Sequence, residues 1–186
     1  MLLRWQFDGE WISPAEFIPV AEEFDLIKPL GELVLEKSCQ ALQSLRSAGH
    51  TSITFAINRS VHEFPTADEG ANYWLDVLEK YNIPKSLVCF EITETTARSN
   101  LTSATEFIAE GKKRGCIFAL DDFGTGSSTF DYLKYLPVDI IKIDGIFVRE
   151  IEKDSFDLAL VKSISDLAKA MGKKVVAEFV ESDAIA

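Results

Sequence analysis

The segment FALDDFGTGSS, residues 118–128, changes abruptly from an apolar run to two adjacent carboxylates and a glycine-rich turn. Neighbouring residues of a regular strand point to opposite faces of a sheet, so Asp121 and Asp122 cannot both serve one site from inside a strand. This restriction is relaxed at the last residue of a strand. The segment therefore predicts a strand that ends at a polar site.

Similar apolar runs recur along the chain and alternate with helical patterns. Besides residues 116–122, these β-rich runs cover residues 2–5, 52–58, 87–93, 138–144 and 175–181. Several of them are almost continuously apolar, as in a parallel sheet that is covered on both faces. The repeated strand-helix order predicts a parallel α/β domain with right-handed crossovers. A doubly wound open sheet and part of a (β/α)8 barrel both fit this pattern.

Helix signals occupy the segments between these runs. Ser13, Pro14 and Glu16 have the spacing of a capping box with proline in the first turn, and Pro19 is expected to open a second short helix. Apolar residues at helical spacing predict four further helices whose stripes belong to the core. These stripes are Leu35/Cys39/Leu42/Leu45, Trp74/Leu75/Leu78/Tyr81, Leu101/Ala104/Phe107/Ile108 before Gly115, and Leu160/Val161/Ile164/Leu167/Ala168/Met171 before Gly172. Residues 62–70 are typical of an irregular surface loop.

The composition describes one globular domain and restricts its partners. The chain has 186 residues, of which 47% are hydrophobic, and its formal net charge is -11. Such an acidic surface lacks the basic footprint of non-specific nucleic-acid binding, so long nucleic acid is not an expected partner. The sequence contains neither a signal-peptide pattern nor a membrane-spanning apolar run, which predicts a soluble cytoplasmic domain. Cys39, Cys89 and Cys116 fit buried residues in a reducing compartment.

Five of the apolar runs end in side chains with metal-ligating or acid-base chemistry. These side chains are Asn58, Glu91, Asp121 with Asp122, Lys142 and Glu178. Successive members are 33, 30, 20 and 36 residues apart, each roughly one strand-helix unit. In a barrel they would all meet at the C-terminal rim, whereas in a doubly wound sheet only those near the switch point would be close. A single strand-terminal carboxylate is more often a helix N-cap, but five positions in phase favour a common site.

The ligand atoms of this group are oxygens, which suit Mg²⁺ or Mn²⁺ better than zinc. Adjacent carboxylates at a strand end can hold two cations, one aspartate bridging both ions. Two such ions, about 3.5–4 Å apart, clamp a phosphate ester and activate water for an in-line displacement. Two roles remain open for Lys142, which either neutralises the carboxylates or positions the attacking water.

These residues resemble the EAL-type cyclic di-GMP phosphodiesterase domains of bacteria. The matching segments are, in order, LLRW (2–5), SPAEFIPVAEE (13–23), IN-x-S (57–60), FEITE (90–94), LDDFGTG (120–126), YLKYLPVDIIKID (132–144) and VVAE-x-VE (175–181). The resemblance implies a modified TIM-like (β/α)8 barrel. It also implies hydrolysis of cyclic di-GMP to linear pGpG with Mg²⁺ or Mn²⁺ in a two-metal site.

The resemblance further assigns ligand roles. By this correspondence Asn58, Glu91 and Asp121 are ligands of a first metal ion. Asp121 then bridges to a second ion, which Asp122 and Glu178 also hold. All five positions carry the residue that the family pattern requires.

Other roles also follow from the resemblance alone. Lys142 corresponds to a lysine near the attacking water, and Glu178 has a second role as a candidate base. Glu181 would support the site and Glu94 would anchor the DDFGTG loop. Arg4 would bind a substrate phosphate, with an ion pair at the barrel rim as the alternative role.

The chain departs from the family pattern at its ends and at three motif positions. We expect a single EAL domain over residues 1–186. Compared with the family pattern, it lacks the first strand, which carries the glutamate of the Glu-Ala-Leu motif, and it also lacks the C-terminal strand. About six of the eight strands are then left. Phe179 replaces the usual glycine beside Glu178, Ser127 replaces an aromatic residue, and Arg59 replaces a leucine. The missing ligand predicts little or no turnover by this chain alone.

Two functions follow as hypotheses. The first is the metal-dependent phosphodiesterase described above. The second, motivated by Phe179 and the missing glutamate, is a catalytically inactive cyclic di-GMP receptor or protein-interaction module. The expected partners are cyclic di-GMP, a second copy of the chain in a homodimer, and sensory or GGDEF-type domains in a longer parent, which could also anchor it to a membrane.

Overall fold

A computed structural model describes residues 3–63, 72–126 and 130–185 of the chain. It begins with a hairpin of two antiparallel strands, β1 (Trp5–Phe7) and β2 (Glu10–Ile12). The helices are α1 (Pro14–Glu23), α2 (Ile27–Ser47), α3 (Asn72–Lys80), α4 (Glu94–Ser99), α5 (Leu101–Lys113), α6 (Gly145–Val148) and α7 (Ser155–Ala170). The other strands are β3 (Phe55–Asn58), β4 (Val88–Thr93), β5 (Ile117–Phe123), β6 (Ile140–Ile143) and β7 (Lys174–Ala177).

Strands β3 to β7 form one parallel sheet, in which the strands follow their order in the chain. Helix α3 joins β3 to β4, α4 and α5 join β4 to β5, and α6 and α7 join β6 to β7. The described part of the connection between β5 and β6 contains the 3₁₀ helix Phe130–Lys134. A doubly wound sheet reverses its strand order at a switch point, and this sheet does not. The arrangement is that of a (β/α)8 barrel, which confirms the predicted fold class.

Of the first predicted strand, residues 2–5, the described residues 3–5 do not join this sheet, so the described part of the chain has five parallel strands rather than six. Trp5 instead begins β1 and lies opposite Ile12 in the hairpin. The sequence signal for this hairpin is Asp8-Gly9, because both residues have the left-handed φ angles, 49° and 86°, that a tight two-residue turn requires.

The capping box is confirmed at the start of α1, where Ser13 is the N-cap. The backbone N–H of Ser13 donates a hydrogen bond of 3.2 Å to the Glu16 carboxylate. The prediction that Pro19 opens a second helix is wrong, because Pro19 lies inside α1. Phe17 and Ala21 are buried on either side of it. Burial of one continuous helix face therefore outweighs the missing N–H donor of the proline, a loss of about 3 kcal/mol.

The four predicted apolar stripes lie in α2, α3, α5 and α7 and pack in the core. Their buried members are Leu35, Cys39, Leu42, Trp74, Leu75, Leu78, Ala104, Phe107, Ile108, Ile164 and Ala168. Aromatic rings interlock over the sheet, with centroids 4.7 Å apart for Trp74 and Phe107 and 5.5 Å apart for Phe107 and Phe118. Of the loop expected at residues 62–70, the first two belong to the 3₁₀ helix Val61–Glu63 and the others lie outside the described residues.

The three cysteines are free thiols, as the sequence predicts. Burial raises the pKa of Cys39 and Cys116 to about 11, and that of Cys89 to about 12. Thiols with such pKa values are poor nucleophiles at neutral pH, so their role is packing. Among the described helices, none combines the length and the apolar character needed to cross a bilayer.

Gly111 of α5 provides a test of how tightly this core is packed. A Cβ at this position would lie 2.5 Å from Cζ of Phe118, which is buried among the aromatic rings. In Gly111→Ala, the helix-propensity gain of about 1 kcal/mol competes with an overpacking cost of about 1–3 kcal/mol. We expect urea denaturation to show a net loss of stability. Glu106→Ala, on the exposed face of the same helix, is the control, and a stabilised Gly111→Ala protein would contradict the packing.

Candidate active site at the C-terminal ends of the strands

The side chains that the sequence singles out lie in the C-terminal halves of β3 to β6 or, for Glu178, directly after β7. Asn58 ends β3 and pairs in register with Glu91 of β4. Lys142 lies in β6, and Glu178 directly follows β7, where its backbone N–H donates a 3.2 Å hydrogen bond to the carbonyl of Ile143. Because the strands are parallel and in register, these positions share one rim of the sheet.

Lys142 is the centre of the group. Its Nζ atom lies 3.0 Å from Oε1 of Glu91, 2.8 Å from Oδ1 of Asp121 and 2.8 Å from Oε1 of Glu178. Desolvation disfavours the ammonium, but the hydrogen bonds to the three carboxylates outweigh it and raise the pKa of Lys142 above its ordinary value. One ammonium therefore forms ion pairs with acidic side chains from three other strands or strand ends and offsets part of their negative charge.

Asp121 and Asp122 share the site because β5 is irregular at this point. The pairing of β5 with β6 shifts register between Leu120 and Phe123, and Asp122 has a φ of 54°. The backbone N–H of Asp122 donates a 3.1 Å hydrogen bond to Oδ1 of Asp121. The strand does not end at these residues, as the sequence suggests, but bulges there, and the bulge re-aims a side chain that a regular strand would point away.

The chemistry of this cluster fits a hard divalent cation. Ligand oxygens of Asp121, Asp122 and Glu178 lie within 4.8 Å of one another. Desolvation and the neighbouring charges of Asp121, Asp144 and Glu178 raise the pKa of the Asp122 carboxyl. Negative charge thus exceeds what Lys142 alone compensates, and oxygen donors of this type suit Mg²⁺ or Mn²⁺.

Asn58 and Arg4 lie to one side of the Lys142 cluster. Both line a small cavity of about 180 Å³ between the hairpin segment, α1 and α2, together with Glu63. The exposed Arg4 guanidinium donates a 2.9 Å hydrogen bond to the carbonyl of Leu3. Asn58 is therefore in register with Glu91 and also lines this cavity, whose lining includes none of the carboxylates paired with Lys142.

Glu94 and Glu181 occupy contrasting positions. Glu94 is buried and accepts hydrogen bonds from the backbone N–H groups of Gly124 (2.9 Å) and Gly126 (3.3 Å), and Arg98 lies 3.4 Å from its carboxylate. It thus ties the loop after β5 to the start of α4. Glu181 is exposed, and among the described residues it belongs neither to the ion pairs of Lys142 nor to the carboxylate cluster.

Sequence reasoning missed a buried charged group next to Asn58. Arg59 and Glu63 form an ion pair of 2.8 Å whose side chains are 1% and 4% exposed. The Arg59 guanidinium lies 3.2 Å from the ring centroid of Trp74 and donates a 3.3 Å hydrogen bond to the carbonyl of Gly31. The four-residue spacing of opposite charges in RSVHE, residues 59–63, is the signal that could have indicated the pair.

A sequence model of the EAL domain matches residues 1–186, the whole chain. The chain belongs to the EAL domain family. It is 41% identical over 186 residues to the cyclic di-GMP phosphodiesterase PdeB of Shewanella oneidensis and 38% identical over 189 residues to the cyclic di-GMP phosphodiesterase PdeF of Escherichia coli. All of this EAL chain is aligned in both cases, but it spans only 22% and 25% of the length of these relatives.

Solved structures agree with this membership. The PaMucR phosphodiesterase, in complex with c-di-GMP, superposes on this EAL domain with a TM-score of 0.89 at 34% sequence identity. The match covers 99% of this chain and 74% of the PaMucR chain. The likeness confirms the TIM-like architecture that the order of the parallel strands indicates.

Removal of the central ammonium tests the electrostatic account of the cluster. In Lys142→Gln the three carboxylates lose their shared cation, and we expect the free energy of unfolding to fall by about 3 kcal/mol. Urea denaturation in the absence of divalent ions measures the change. Lys153→Gln, which removes an exposed lysine paired with Glu150, is the matched control and should leave the midpoint unchanged. An unchanged midpoint for Lys142→Gln would contradict the account.

Arg59→Leu tests the buried pair through its pH dependence. Burial raises the pKa of Glu63 in the folded state above its ordinary value of 4.5, and Arg59 opposes this rise. When the folded state raises the pKa of a carboxyl group, the free energy of unfolding is unaffected at pH values below the pKa of the unfolded state. It then falls as the pH rises from that value towards the pKa of the folded state.

Loss of Arg59 should enlarge that cost. Arg59→Leu loses the contacts with Trp74 and Gly31 at every pH, and we expect a further stability loss of about 3 kcal/mol to develop between about pH 4 and about pH 7.5. Denaturation at both pH values measures the difference. A stability loss that is equal at the two values would show that the Glu63 charge is not responsible.

Proposed function

We propose that this EAL domain is a metal-dependent phosphodiesterase that hydrolyses cyclic di-GMP to linear pGpG. The observation that carries the proposal is the cluster of Asp121, Asp122 and Glu178, whose ligand oxygens lie within 4.8 Å of one another at the C-terminal rim. Relatives named as cyclic di-GMP phosphodiesterases, with 41% and 38% identity to this chain, support the substrate. The complex of the related PaMucR phosphodiesterase with c-di-GMP supports binding of the same ligand.

We further propose that Mg²⁺ or Mn²⁺ ions occupy a two-metal site in this cluster. Asp121, Asp122 and Glu178 would hold one ion, and Asp121 with Glu91 and Asn58 would hold the other. When bound, such ions lower the pKa of water and neutralise the charge of a phosphate. The oxygen-only donor set supports this assignment, as does the close approach of Asp121, Asp122 and Glu178, whose ligand oxygens lie within 4.8 Å of one another.

In the proposed reaction, a water oxygen bonds to phosphorus and the bond from phosphorus to one ribose 3′-oxygen breaks. Lys142 remains protonated at neutral pH because its pKa is raised, so it is not a base. Its three N–H groups contact Glu91, Asp121 and Glu178, and bound ions would compete for these carboxylates and release an N–H group to orient the water. Glu178 accepts the proton of the water, and its contact of 2.8 Å with Lys142 places base and donor side by side. The leaving 3′-oxygen takes up a proton from solvent water and becomes a hydroxyl group, and Glu178 returns its proton to solvent.

Three residues outside the cluster have proposed supporting roles. Glu94 anchors the DDFGTG loop, and its bonds to the N–H groups of Gly124 and Gly126 support this role. Arg4 binds a substrate phosphate, since its guanidinium is exposed on the cavity that Asn58 also lines. Glu181 supports the site from the segment after β7.

We propose a cytoplasmic location and a longer parent protein. The three free cysteines support a reducing compartment. The relative MucR of Pseudomonas aeruginosa, 35% identical over 187 residues, is named a bifunctional diguanylate cyclase/cyclic di-GMP phosphodiesterase, which supports a GGDEF-type partner domain. A homodimer remains a prediction from the family resemblance.

A cyclic di-GMP receptor without hydrolysis is the second candidate function. It is favoured by one observation, the bulky Phe179 directly after Glu178, at a position where the family usually has glycine. Tight binding of cyclic di-GMP in the presence of a chelator, without formation of pGpG when Mg²⁺ or Mn²⁺ is supplied, would identify the receptor.

The test of the first candidate is chromatographic detection of pGpG from cyclic di-GMP, with a polypeptide that carries this chain and its natural flanking regions. We expect turnover with Mg²⁺ or Mn²⁺ and none with EDTA. Asp122→Asn should lower kcat by about 100-fold or more, because metal ligation contributes several kcal/mol. Glu106→Gln, on the exposed face of α5, should retain full activity. Absence of pGpG with either metal would refute the phosphodiesterase.

A further inference from the structure

The ring of Phe179 is held between two residues of the preceding strand-helix unit. It packs directly against the Cα of Gly145, leaving no room for a side chain there. The guanidinium of Arg149 lies 3.8 Å from the centroid of the ring. Although 48% of Phe179 is exposed, its ring is therefore fixed from two directions, and we call these three residues the Phe179 clamp.

The backbone of Phe179 has an unfavourable conformation, which the contacts of the clamp must stabilise. Its φ is 54°, in the left-handed region that glycine adopts freely and bulky residues avoid. A residue in such a conformation persists only where its surroundings over-determine it. The contacts with Gly145 and Arg149 supply that restraint.

The clamp acts on the residue next to it. The backbone N–H of Glu178 donates a hydrogen bond to the carbonyl of Ile143, and the next residue in the chain is Phe179, whose ring packs against Gly145. Its carboxylate lies 2.8 Å from Lys142 and in the cluster with Asp121 and Asp122. Orientation of a ligating carboxylate by its neighbours is a general determinant of metal affinity.

We propose that Phe179 is a positioning residue, whose ring, locked by Gly145 and Arg149, keeps the Glu178 carboxylate directed at the ion-binding cluster. This inference rests on the part of the proposed function that concerns divalent ions, and it does not depend on which substrate is hydrolysed. It also assigns Phe179 a role opposite to that of an obstruction in an inactive receptor.

The test measures Mn²⁺ affinity, by electron paramagnetic resonance titration without nucleotide, in the polypeptide that includes the natural flanking regions. We expect Phe179→Ala to bind Mn²⁺ about tenfold more weakly, because both the ring and the left-handed backbone are lost. Phe179→Tyr, which retains the ring, should match the unsubstituted protein. Phe179→Gly retains only the backbone conformation and should lie between them.

Gly145→Ala is a second variant that leaves residue 179 unchanged. The added methyl group displaces the ring, so the loss of Mn²⁺ affinity should resemble that of Phe179→Ala. Phe156→Ala, which removes a ring that is 68% exposed on α7, is the control for loss of an exposed aromatic residue and should bind Mn²⁺ normally.

Thermal unfolding without metal separates positioning from a structural role. Phe179→Gly should unfold at or above the temperature of the unsubstituted protein, because relief of the backbone strain offsets the lost ring contacts, yet it should bind Mn²⁺ more weakly. Normal Mn²⁺ affinity in Phe179→Ala and Gly145→Ala would overturn the inference and leave the proposed function intact. If the unsubstituted protein binds no Mn²⁺, the metal site and the inference both fail, whereas Mn²⁺ binding without pGpG production refutes only the hydrolase.

Discussion

The ammonium of Lys142 is the interaction on which the rim of this domain depends. Glu91, Asp121 and Glu178 come from strands far apart in the chain, and each lies within 3.0 Å of its Nζ atom. Without a cation, three carboxylates gathered around one point would repel one another strongly, because the site is partly buried and poorly screened by water. The parallel sheet brings the carboxylates together, and Lys142 makes their proximity tolerable. The acidic side chains of the rim still outnumber this one cation.

The rim also departs from regular β-structure at the points that matter for the cluster. The register shift between Leu120 and Phe123 and the positive φ of Asp122 let two successive carboxylates contribute to one group. Phe179 has a positive φ as well, directly after Glu178. Unfavourable backbone conformations at residues beside ligands are a common cost of building a functional site. Here the cost falls on β5 and on the segment after β7.

Two further charged groups stiffen the surroundings. Glu94 binds the N–H groups of Gly124 and Gly126 and so connects the loop after β5 to α4. The buried pair of Arg59 and Glu63, stacked on Trp74, holds the chain immediately after Asn58. Both groups act on backbone next to the proposed ligands. The acidic domain therefore contains buried charged side chains, each with defined partners.

The sequence by itself determined the parallel α/β class, the capping box of α1, the core stripes and the set of strand-terminal side chains, because periodicity, caps and polar strand ends are local patterns. Asp8-Gly9 also encoded a hairpin locally, although residues 2–5 were assigned to the sheet. Only the tertiary structure decided the three-way contact of Lys142, the bulge at Asp122, the Arg59–Glu63 pair and the Phe179 clamp. Each depends on distances between chain segments that no local pattern specifies, and on backbone conformations that burial and contact impose against intrinsic preference.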